Sequence, residues 1–379
     1  YFLGSQQVKI SFNQASGVKI ERTIPVDKAN LDFSLFWSVW DRLAANYLDK
    51  AALKPAEMIY GAIRGMTAAL GDPYTVFLPP TENKQTKEDL NGLFEGVGIQ
   101  LGYQDGNLAV VSPLKGMPAE KAGIRAGDFI LKINDQETNG LSLPEAVSLI
   151  RGPAGTKVRL TLIREGEPNP FEKELIRQAI VVPSVEVSFK DNLAVLKLSR
   201  FGDRTDEEWN KAIEEILGHQ PGVAGLILDL RNNPGGYLSG SIFTASEFLN
   251  SGVVVQQEHA NGQKESFSVN RAGKLTGLPM VVLVNKGSAS ASEILAGALQ
   301  EHKRAKIVGE KTFGKGTIQE AQELPGGAGL HITTARWLLP SGKSIDKNGV
   351  APDFEVKDDP TTADIDEPLE KAKEILLKS

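Results

Sequence analysis

Two apolar runs limit the fold of this chain more than any other feature. VAGLILDL, at residues 223–230, and MVVLVN, at 280–285, are almost continuously apolar and rich in β-branched residues. Such runs are typical of strands buried on both faces, as in a parallel sheet covered by helices. A helical pattern that begins at Thr205 precedes both runs, and Thr205 and Glu208 predict a capping box at its start. Residues 183–379 are therefore predicted to form an α/β core with a mostly parallel sheet.

A different pattern fills residues 89–182. Short β-type runs alternate with turn signals, and two short helical pieces lie near 118–122 and 143–150. This pattern predicts a compact β-rich module. The chain as a whole is therefore predicted to be multidomain, with a mixed α/β and β architecture.

The N-terminal part is predicted to be helical. Residues 31–47 and 55–70 have apolar side chains at helical spacing, and the first stretch carries a wide aromatic stripe. Aromatic residues at such spacing usually belong to a core or to a helix–helix contact. Residues 1–88 are thus expected to form an N-terminal helical segment that packs in part on the α/β core.

Composition excludes several classes of function. The formal charge of −6 is spread over both signs with no basic block, so nucleic acid is not expected as a partner. The absence of cysteine excludes disulfides, thiolate catalysis and cysteine metal sites. The four histidines are scattered and no H-E-x-x-H motif is present, so no metal site is expected. No run of about 18 apolar residues indicates a membrane span.

The segment KGSASASEIL, at residues 286–295, places three serines at alternate positions. Ser290 and Glu293 match the S-x-x-E capping box, so a helix start is one interpretation. Catalysis is the other, because the segment follows a buried strand, where open α/β sheets place their sites. The N-terminus of a helix would also offer free N–H groups to an oxyanion.

A serine nucleophile needs a base, and no histidine here lies in a triad context or beside a G-x-S-x-G elbow. A lysine that is desolvated enough to be neutral is the alternative. Lys315 lies between Gly314 and Gly316, which would allow close approach of the backbone, although a lysine in a glycine turn is commonly a solvated charge. The same segment fits G-x-x-x-x-G-K, but Gly316 stands where a phosphate loop needs Ser or Thr, which argues against nucleotide binding.

The segment DLRNNPGGYLSG, at residues 229–240, follows the first apolar run. Pro-Gly-Gly is a turn by composition. A functional interpretation is that Gly235 or Gly236 exposes a backbone N–H at a strand end and supplies the second half of an oxyanion hole.

Together these stretches resemble the C-terminal processing peptidases, also called tail-specific proteases. The matching segments occur in the order of that family and cover roughly residues 32–356. They are GDPYT, FEGVGIQL, SPLKGMPAEKAGIRAGDFILKIND, LILDLRNNPGG, VNKGSASASEILAGALQ, GEKTFGKGTIQ and GVAPD. The resemblance implies a serine endopeptidase that forms an acyl-enzyme and needs no metal or cofactor.

The resemblance also assigns roles to individual residues. Ser290 would be the nucleophile, Lys315 the base, and Gln319 the residue that orients the lysine. The oxyanion donors would be backbone amides of two loops, namely Ala291 and one of the Pro-Gly-Gly glycines, Gly236 rather than Gly235.

The β-rich module resembles a PDZ domain, because GLFEGVGIQL looks like its carboxylate-binding loop and first strand. The implied tail-binding residues form this loop and the start of the strand: Phe94, Glu95, Gly96, Val97, Gly98 and Ile99. Successive N–H groups there can hold a C-terminal carboxylate, and the peptide can add as a strand. Arg151, at the late edge of the module, is a candidate for coupling tail binding to activation, with a plain surface arginine as the alternative.

The implied partners are protein or peptide substrates with apolar free C-termini. A regulatory or adaptor protein is a further candidate, as is a second copy that associates through residues 31–70. The resemblance implies that the protein is located in the cell envelope or periplasm, with the thylakoid lumen as the alternative. A catalytically silent PDZ scaffold is the main rival interpretation, but a silent homologue would often have lost one of the three catalytic residues, and all are present.

Overall fold

The described residues form nine α-helices and nineteen β-strands. The structure is a computed structural model, and it describes residues 32–104, 106–141, 143–359, 362 and 365–378. The helices are α1 Ser34–Asn46, α2 Pro55–Ala68, α3 Pro80–Asn91, α4 Pro118–Lys121, α5 Leu143–Ile150, α6 Thr205–Gly218, α7 Leu238–Ala245, α8 Ala291–Glu301 and α9 Glu367–Lys378. The strands are β1 Val76–Leu78, β2 Leu93–Gly96, β3 Ile99–Gln104, β4 Asn107–Pro113, β5 Phe129–Ile133, β6 Gln136–Glu137, β7 Lys157–Ile163, β8 Phe171–Ile176, β9 Gln178–Val181, β10 Val185–Lys190, β11 Leu193–Leu198, β12 Gly225–Asp229, β13 Val253–His259, β14 Lys264–Ser268, β15 Met280–Val284, β16 Lys306–Gly309, β17 Thr317–Glu323, β18 Gly329–Leu338 and β19 Phe354–Glu355.

The chain divides into two units. The first contains the described residues up to Pro80 together with 319–333, and the second contains 81–318 and the described residues from 334 onward. In the first unit, β1 pairs antiparallel with the first part of β18. The predicted helices near the N-terminus are present as α1 and α2. None of the helices in the described part of the chain is both long and apolar enough to cross a membrane.

The aromatic stripe of α1 does not belong to a buried core, because no residue of this helix is buried. Its rings instead contact one another, with the centroids of Phe36 and Trp37 4.9 Å apart. Side chains such as Leu35, Val39 and Leu43 are exposed. The helix therefore presents an apolar surface, and its packing on the α/β core stays a prediction.

The predicted β-rich module lies in the second unit. Its sheet has the order β3-β4-β5-β7-β8, with β6 beside β5, and all the pairings are antiparallel. Residues from the sheet and from α4 and α5 share one core that includes Val110, Ala119, Ile130, Ala146 and Leu160. The strand β3 ends the sheet, so one of its edges has no partner among the described strands.

A buried carboxylate joins distant parts of this module. The side chain of Asp128 is fully buried. It accepts hydrogen bonds from Nε and Nη2 of Arg164, at 2.6 and 2.8 Å, and from the N–H of Arg125 at 2.8 Å. Burial alone would raise the pKa of Asp128, but the hydrogen bonds and the positive charge of Arg164 outweigh it, and the pKa lies below its ordinary value.

We expect Asp128→Asn to lower the free energy of unfolding of the module by about 3 kcal/mol, because it leaves Arg164 without its buried partner. The folded-state pKa is the lower one, so the stabilisation is present above the unfolded value of about 3.9 and is lost as the pH falls through the folded value. Hydrogen exchange of strands β4, β5 and β7 in the intact protein, measured as a function of pH, checks this. Equal acid sensitivity in wild type and variant would contradict it.

The α/β core forms the other large sheet of the second unit. Six strands follow the order β10-β11-β12-β15-β16-β19, and every pair except β10 with β11 is parallel. The two apolar runs form β12 and β15, which are buried at every residue. Leu226 and Leu228 pack in the cluster that contains α6, α7 and α8, whereas Ile227 packs in the cluster that contains α9. The predicted mostly parallel sheet, buried on both faces, is confirmed.

The capping box predicted at the start of α6 is wrong. The hydroxyl of Thr205 accepts a hydrogen bond from the N–H of Gly202, at 2.8 Å, rather than from the helix. The carboxylate of Glu208 accepts from the N–H and the hydroxyl of Ser184, each at 2.7 Å. The hydroxyl of Thr205 also donates to that of Ser184 at 3.1 Å, so both side chains that the local pattern assigns to the helix start bind the same distant residue.

An arginine fixes the C-terminal helix α9 to the carboxyl end of β12. Arg231 donates to both carboxylate oxygens of Asp366, at 2.7 and 2.8 Å, and also to Asp229 at 2.7 Å. Asp366 in turn accepts the N–H of Leu369 and so caps α9. This contact joins the last helix to the chain that leaves β12.

Candidate active site

The three serines of residues 286–295 have different surroundings. Ser288 and Ser292 are fully buried. Their hydroxyls donate to the carbonyl oxygens of Leu230, at 2.8 Å, and Asn233, at 2.9 Å. Ser290 is half-buried and precedes the first residue of α8. The outer serines therefore serve the fold, and the middle one remains as the candidate nucleophile.

The backbone at Ser290 is strained. Its φ is +55° and its ψ is −117°, a combination that residues with a side chain rarely adopt. Such strain at a non-glycine residue is concentrated at functional sites. The capping box predicted here is present, and its carboxylate, that of Glu293, accepts the N–H of Ser290 at 2.8 Å. The helix-start interpretation is thus confirmed, and the catalytic interpretation stays a prediction.

Lys315 follows β16 in a loop of residues 312–316, here called the base loop. The backbone of this loop is closely packed, as the two glycines predict: a β-carbon at Gly314 would lie 3.0 Å from the nitrogen of Gly349, and one at Gly316 would lie 2.6 Å from Cβ of Asp346. The N–H of Phe313 donates to the carbonyl oxygen of Ser288 at 3.0 Å. The base loop therefore lies against the segment that carries Ser290.

One carboxylate connects the two predicted catalytic residues. Glu293 is fully buried, and its Oε2 accepts the N–H of Ser290 at 2.8 Å and the N–H of Lys315 at 3.0 Å. Its Oε1 accepts the hydroxyl of Thr312 at 2.5 Å and the N–H of Gly314 at 2.7 Å. Because one oxygen bonds both nitrogens, the backbones of Ser290 and Lys315 lie within two hydrogen-bond lengths of each other.

The Pro-Gly-Gly loop, defined as residues 233–237, lies beside the candidate nucleophile. A β-carbon at Gly235 would lie 2.8 Å from Cβ of Ser290 and 3.0 Å from the nitrogen of Ala291. The N–H of Gly235 is already bonded to the side chain of Asn233, at 2.9 Å. Within the described part of the chain, the N–H groups of Gly236 and Ala291 have no acceptor. These contacts favour Gly236 over Gly235 as an oxyanion donor.

Gln319, on β17, belongs to the first unit, where its Nε2 donates to the hydroxyl of Thr333 at 3.1 Å. The contacts above therefore bring together five of the six predicted catalytic and oxyanion residues: Ser290, Lys315, Gly235, Gly236 and Ala291. The role of Gln319 stays a prediction.

Sequence reasoning missed two buried residues of this site. It treated Glu293 only as a capping partner, although the same carboxylate binds the base loop. It did not single out Asn233 at all. For Glu293 and Asn233 alike, the only local signal is a polar side chain next to a turn. The sequence does not show that these side chains are buried.

The predicted tail-binding loop is the turn between β2 and β3. Phe94, Glu95 and Gly96 pair with β9, so the free turn consists of Val97 and Gly98. Gly98 has a φ of +74°, and no acceptor is found for the N–H of either turn residue in the part of the chain that the structure describes. Two successive free N–H groups at such a turn can bind an anion. The next residue, Ile99, begins the edge strand β3.

Arg151 lies at the end of α5 and contacts one group in the tail-binding segment and one group in α3. Its guanidinium carbon is 4.6 Å from the ring centroid of Phe94, in the tail-binding segment. Its Nη2 is 3.0 Å from a carboxylate oxygen of Asp89, which lies in α3, before the first strand of the β-rich module. The side chain of Arg151 is 20% exposed, so it is not a freely solvated surface arginine.

Comparisons with known proteins agree with this organisation. The family described as "Peptidase family S41" matches residues 192–356, and the family described as "PDZ domain" matches 110–164. The carboxy-terminal processing protease CtpA of Bacillus subtilis is 39% identical over 83% of this chain, which spans 66% of that protein's length. The carboxyl-terminal-processing protease of Synechocystis sp. is 38% identical over 93% of this chain, which spans 83% of its length.

A solved structure shows the same relationship. The photosystem II D1 C-terminal processing protease is 33% identical, with a TM-score of 0.53 over 85% of this chain and 92% of that one. The predicted resemblance, the mixed α/β fold class and the PDZ domain are thereby confirmed. The chain belongs to the carboxy-terminal processing proteases of peptidase family S41, a family of serine-type peptidases, and it carries a PDZ domain.

Proposed function

We propose that this protein is a serine endopeptidase that binds the C-terminal tails of protein substrates at its PDZ domain and cleaves them by a Ser/Lys mechanism. The observation that carries the proposal is the bonding of Glu293, whose carboxylate accepts the N–H groups of both Ser290 and Lys315. A purely structural cap would bind the start of α8 alone. Here the same buried group also fixes the loop that carries the candidate base.

The first half of the reaction forms an acyl-enzyme. The neutral amine of Lys315 takes the proton of Ser290 as Oγ attacks the scissile carbonyl carbon. The electron pair of the carbonyl moves to its oxygen, which the amides of Gly236 and Ala291 stabilise. When the carbon–nitrogen bond breaks, the ammonium of Lys315 gives its proton to the leaving amine. Gln319 is proposed to orient the lysine.

The second half releases the product. Lys315, neutral again, takes a proton from water, and the resulting hydroxide attacks the ester carbonyl. The oxyanion forms at the same two amides. The ester bond to Oγ then breaks, the ammonium of Lys315 returns a proton to Ser290, and the new C-terminal acid leaves.

Tail recognition is assigned to the PDZ domain. The N–H groups of Val97 and Gly98 would hold the terminal carboxylate, and the tail would add to the open edge of β3 beginning at Ile99. Binding energy gained there helps to place the scissile bond at Ser290. Arg151 is proposed to couple the two events, since it contacts both the tail-binding segment and α3.

Cleavage of a flexible protein with an apolar free C-terminus, compared with the same protein carrying a C-terminal amide, tests the proposal. Loss of the carboxylate removes charge-assisted hydrogen bonds, so kcat/KM is expected to fall about 10-fold to 100-fold. The Ser290→Ala variant should bind the free tail more tightly than the amide and cleave neither. Equal cleavage of both substrates would contradict tail recognition, and tail binding without cleavage by the wild type would indicate a silent scaffold.

Partners and location complete the proposal. The exposed apolar surface of α1 is suited to a second copy of the chain, and light scattering on the purified protein tests this association. A regulatory or adaptor protein is proposed as a further partner. The protein is assigned to the cell envelope or periplasm, with the thylakoid lumen as the alternative because of the likeness to a photosystem II D1 processing protease.

A further inference from the structure

We infer that Asn233 is a positioning residue for the reaction, because its side chain occupies the amide of Gly235 and leaves the amide of Gly236 for the oxyanion. This inference rests on the proposed function. It concerns a residue that touches no substrate and acts through the backbone of the Pro-Gly-Gly loop.

The side chain of Asn233 uses both its acceptor and its donor. It is fully buried. Its Oδ1 accepts the N–H of Gly235 at 2.9 Å, and its Nδ2 donates to the carbonyl oxygen of Leu198, the last residue of β11, at 2.8 Å. The neighbouring strand of the sheet thus fixes the orientation of the amide group, and the amide group fixes Gly235.

The backbone of Asn233 ties the same loop to the candidate nucleophile. Its carbonyl oxygen accepts the N–H of Ala289 at 3.0 Å and the hydroxyl of Ser292 at 2.9 Å. These two residues lie immediately before and two positions after Ser290. Asn233 therefore sets the distance between the Pro-Gly-Gly loop and the serine.

Phe201 holds the loop from the opposite side. Its N–H donates to the carbonyl oxygen of Gly235 at 2.9 Å, and its own carbonyl accepts the N–H of Tyr237 at 2.8 Å. Both polar groups of Gly235 are thus used, whereas Gly236 is exposed. A β-carbon at Gly236 would collide with the carbonyl oxygen of Phe201. With acceptors sought in the described part of the chain, the one free amide of the loop is that of Gly236, placed between two fixed neighbours.

Only a primary amide meets these requirements at position 233, since it accepts with one atom and donates with the other. An aspartate would accept the N–H of Gly235 but would place a second acceptor against the carbonyl of Leu198. When protonated, its hydroxyl could donate to that carbonyl and restore both bonds. Burial raises the pKa of a carboxyl group, so this protonation falls within a range that a pH profile can reach.

The test compares Asn233→Asp with Asn232→Asp, the same substitution one residue earlier. We expect Asn233→Asp to lower kcat about 100-fold near neutral pH, with KM little changed, and the ratio of variant to wild-type kcat to rise as the pH falls. Asn232 is exposed, and its Oδ1 accepts from Asn285, a bond that aspartate keeps, so this control should behave as wild type. A wild-type kcat in Asn233→Asp, or a ratio that does not change with pH, would overturn the inference.

Amide hydrogen exchange of the wild type provides a second measurement that does not depend on folding of a variant. Gly235 should exchange slowly and Gly236 rapidly in the free protein, and a peptide boronic acid bound at Ser290 should slow the exchange of Gly236 without changing that of Gly235. Rapid exchange of Gly235 would overturn the inference. The exchange of Gly235 and Gly236 is measured without substrate, so it tests the inference separately from the proposed function. Failure of the proposed function would appear instead as a wild-type protein that does not cleave.

Discussion

Lys315→Ala is expected to lower kcat/KM by about 10,000-fold or more, and Ser290→Ala by a similar factor. A nucleophile and its base act as one unit, so removing either loses nearly the whole contribution of the pair. For the same reason the double variant should be no less active than the single variants. Cleavage of a substrate with an apolar free tail measures all three.

A matched control is available beside the base loop. Lys311→Ala removes an exposed lysine four positions before Lys315 and should retain wild-type activity. Both inactive variants should still bind the tail, which shows that they are folded. A Lys315→Ala protein that cleaves like wild type would mean that another group is the base. Labelling by a fluorophosphonate at Ser288 or Ser292 instead of Ser290 would contradict the choice of nucleophile.

Glu293→Gln is expected to be the next most damaging change, with kcat reduced about 100-fold and the free energy of unfolding lowered by about 3 kcal/mol. The carboxylate accepts two hydrogen bonds at each oxygen. Glutamine has one accepting oxygen, and its NH₂ group must face a pair of donors. Either the pair from Ser290 and Lys315 or the pair from Thr312 and Gly314 is then lost.

Activity and stability are measured together for this variant. Glu301→Gln, at the other end of α8, is the control, since the partner of its carboxylate among the described residues is Ser341, at an exposed position. Slower fluorophosphonate labelling of Ser290 in folded Glu293→Gln, beyond the unfolded fraction, separates a positioning role from a structural one. Wild-type labelling in a merely less stable variant would show that Glu293 serves the fold alone.

Much of the core could be predicted from the sequence because its signals are local. A strand buried on both faces needs an unbroken apolar run, which is why β12 and β15 were identifiable. The loops that follow such strands lie at one edge of a parallel sheet, so Ser290 and the Pro-Gly-Gly loop could be expected near each other.

The remainder depends on contacts between distant segments. Glu293 has a complete local explanation as a capping partner, and nothing nearby in the sequence indicates its bonds to Thr312 and Gly314. Thr205 shows the reverse case, in which a bond from Gly202 and a tertiary bond to Ser184 replace the cap that the pattern predicts. The aromatic stripe of α1 has the spacing of a core helix, yet spacing alone cannot tell a covered face from an exposed one.

The assembly of the site from three separated loops also determines the stage of folding at which the proposed proteolytic activity can arise. The Pro-Gly-Gly loop, the segment before α8 and the base loop meet only after β12, β15 and β16 have paired in parallel. Parallel pairing of this kind is intrinsically slow, because each crossover must close before the strands can bond. A nascent or unfolded chain therefore has a serine, a lysine and two amides but no catalyst. Under the proposed mechanism, completion of the fold is thus the step that creates the active site.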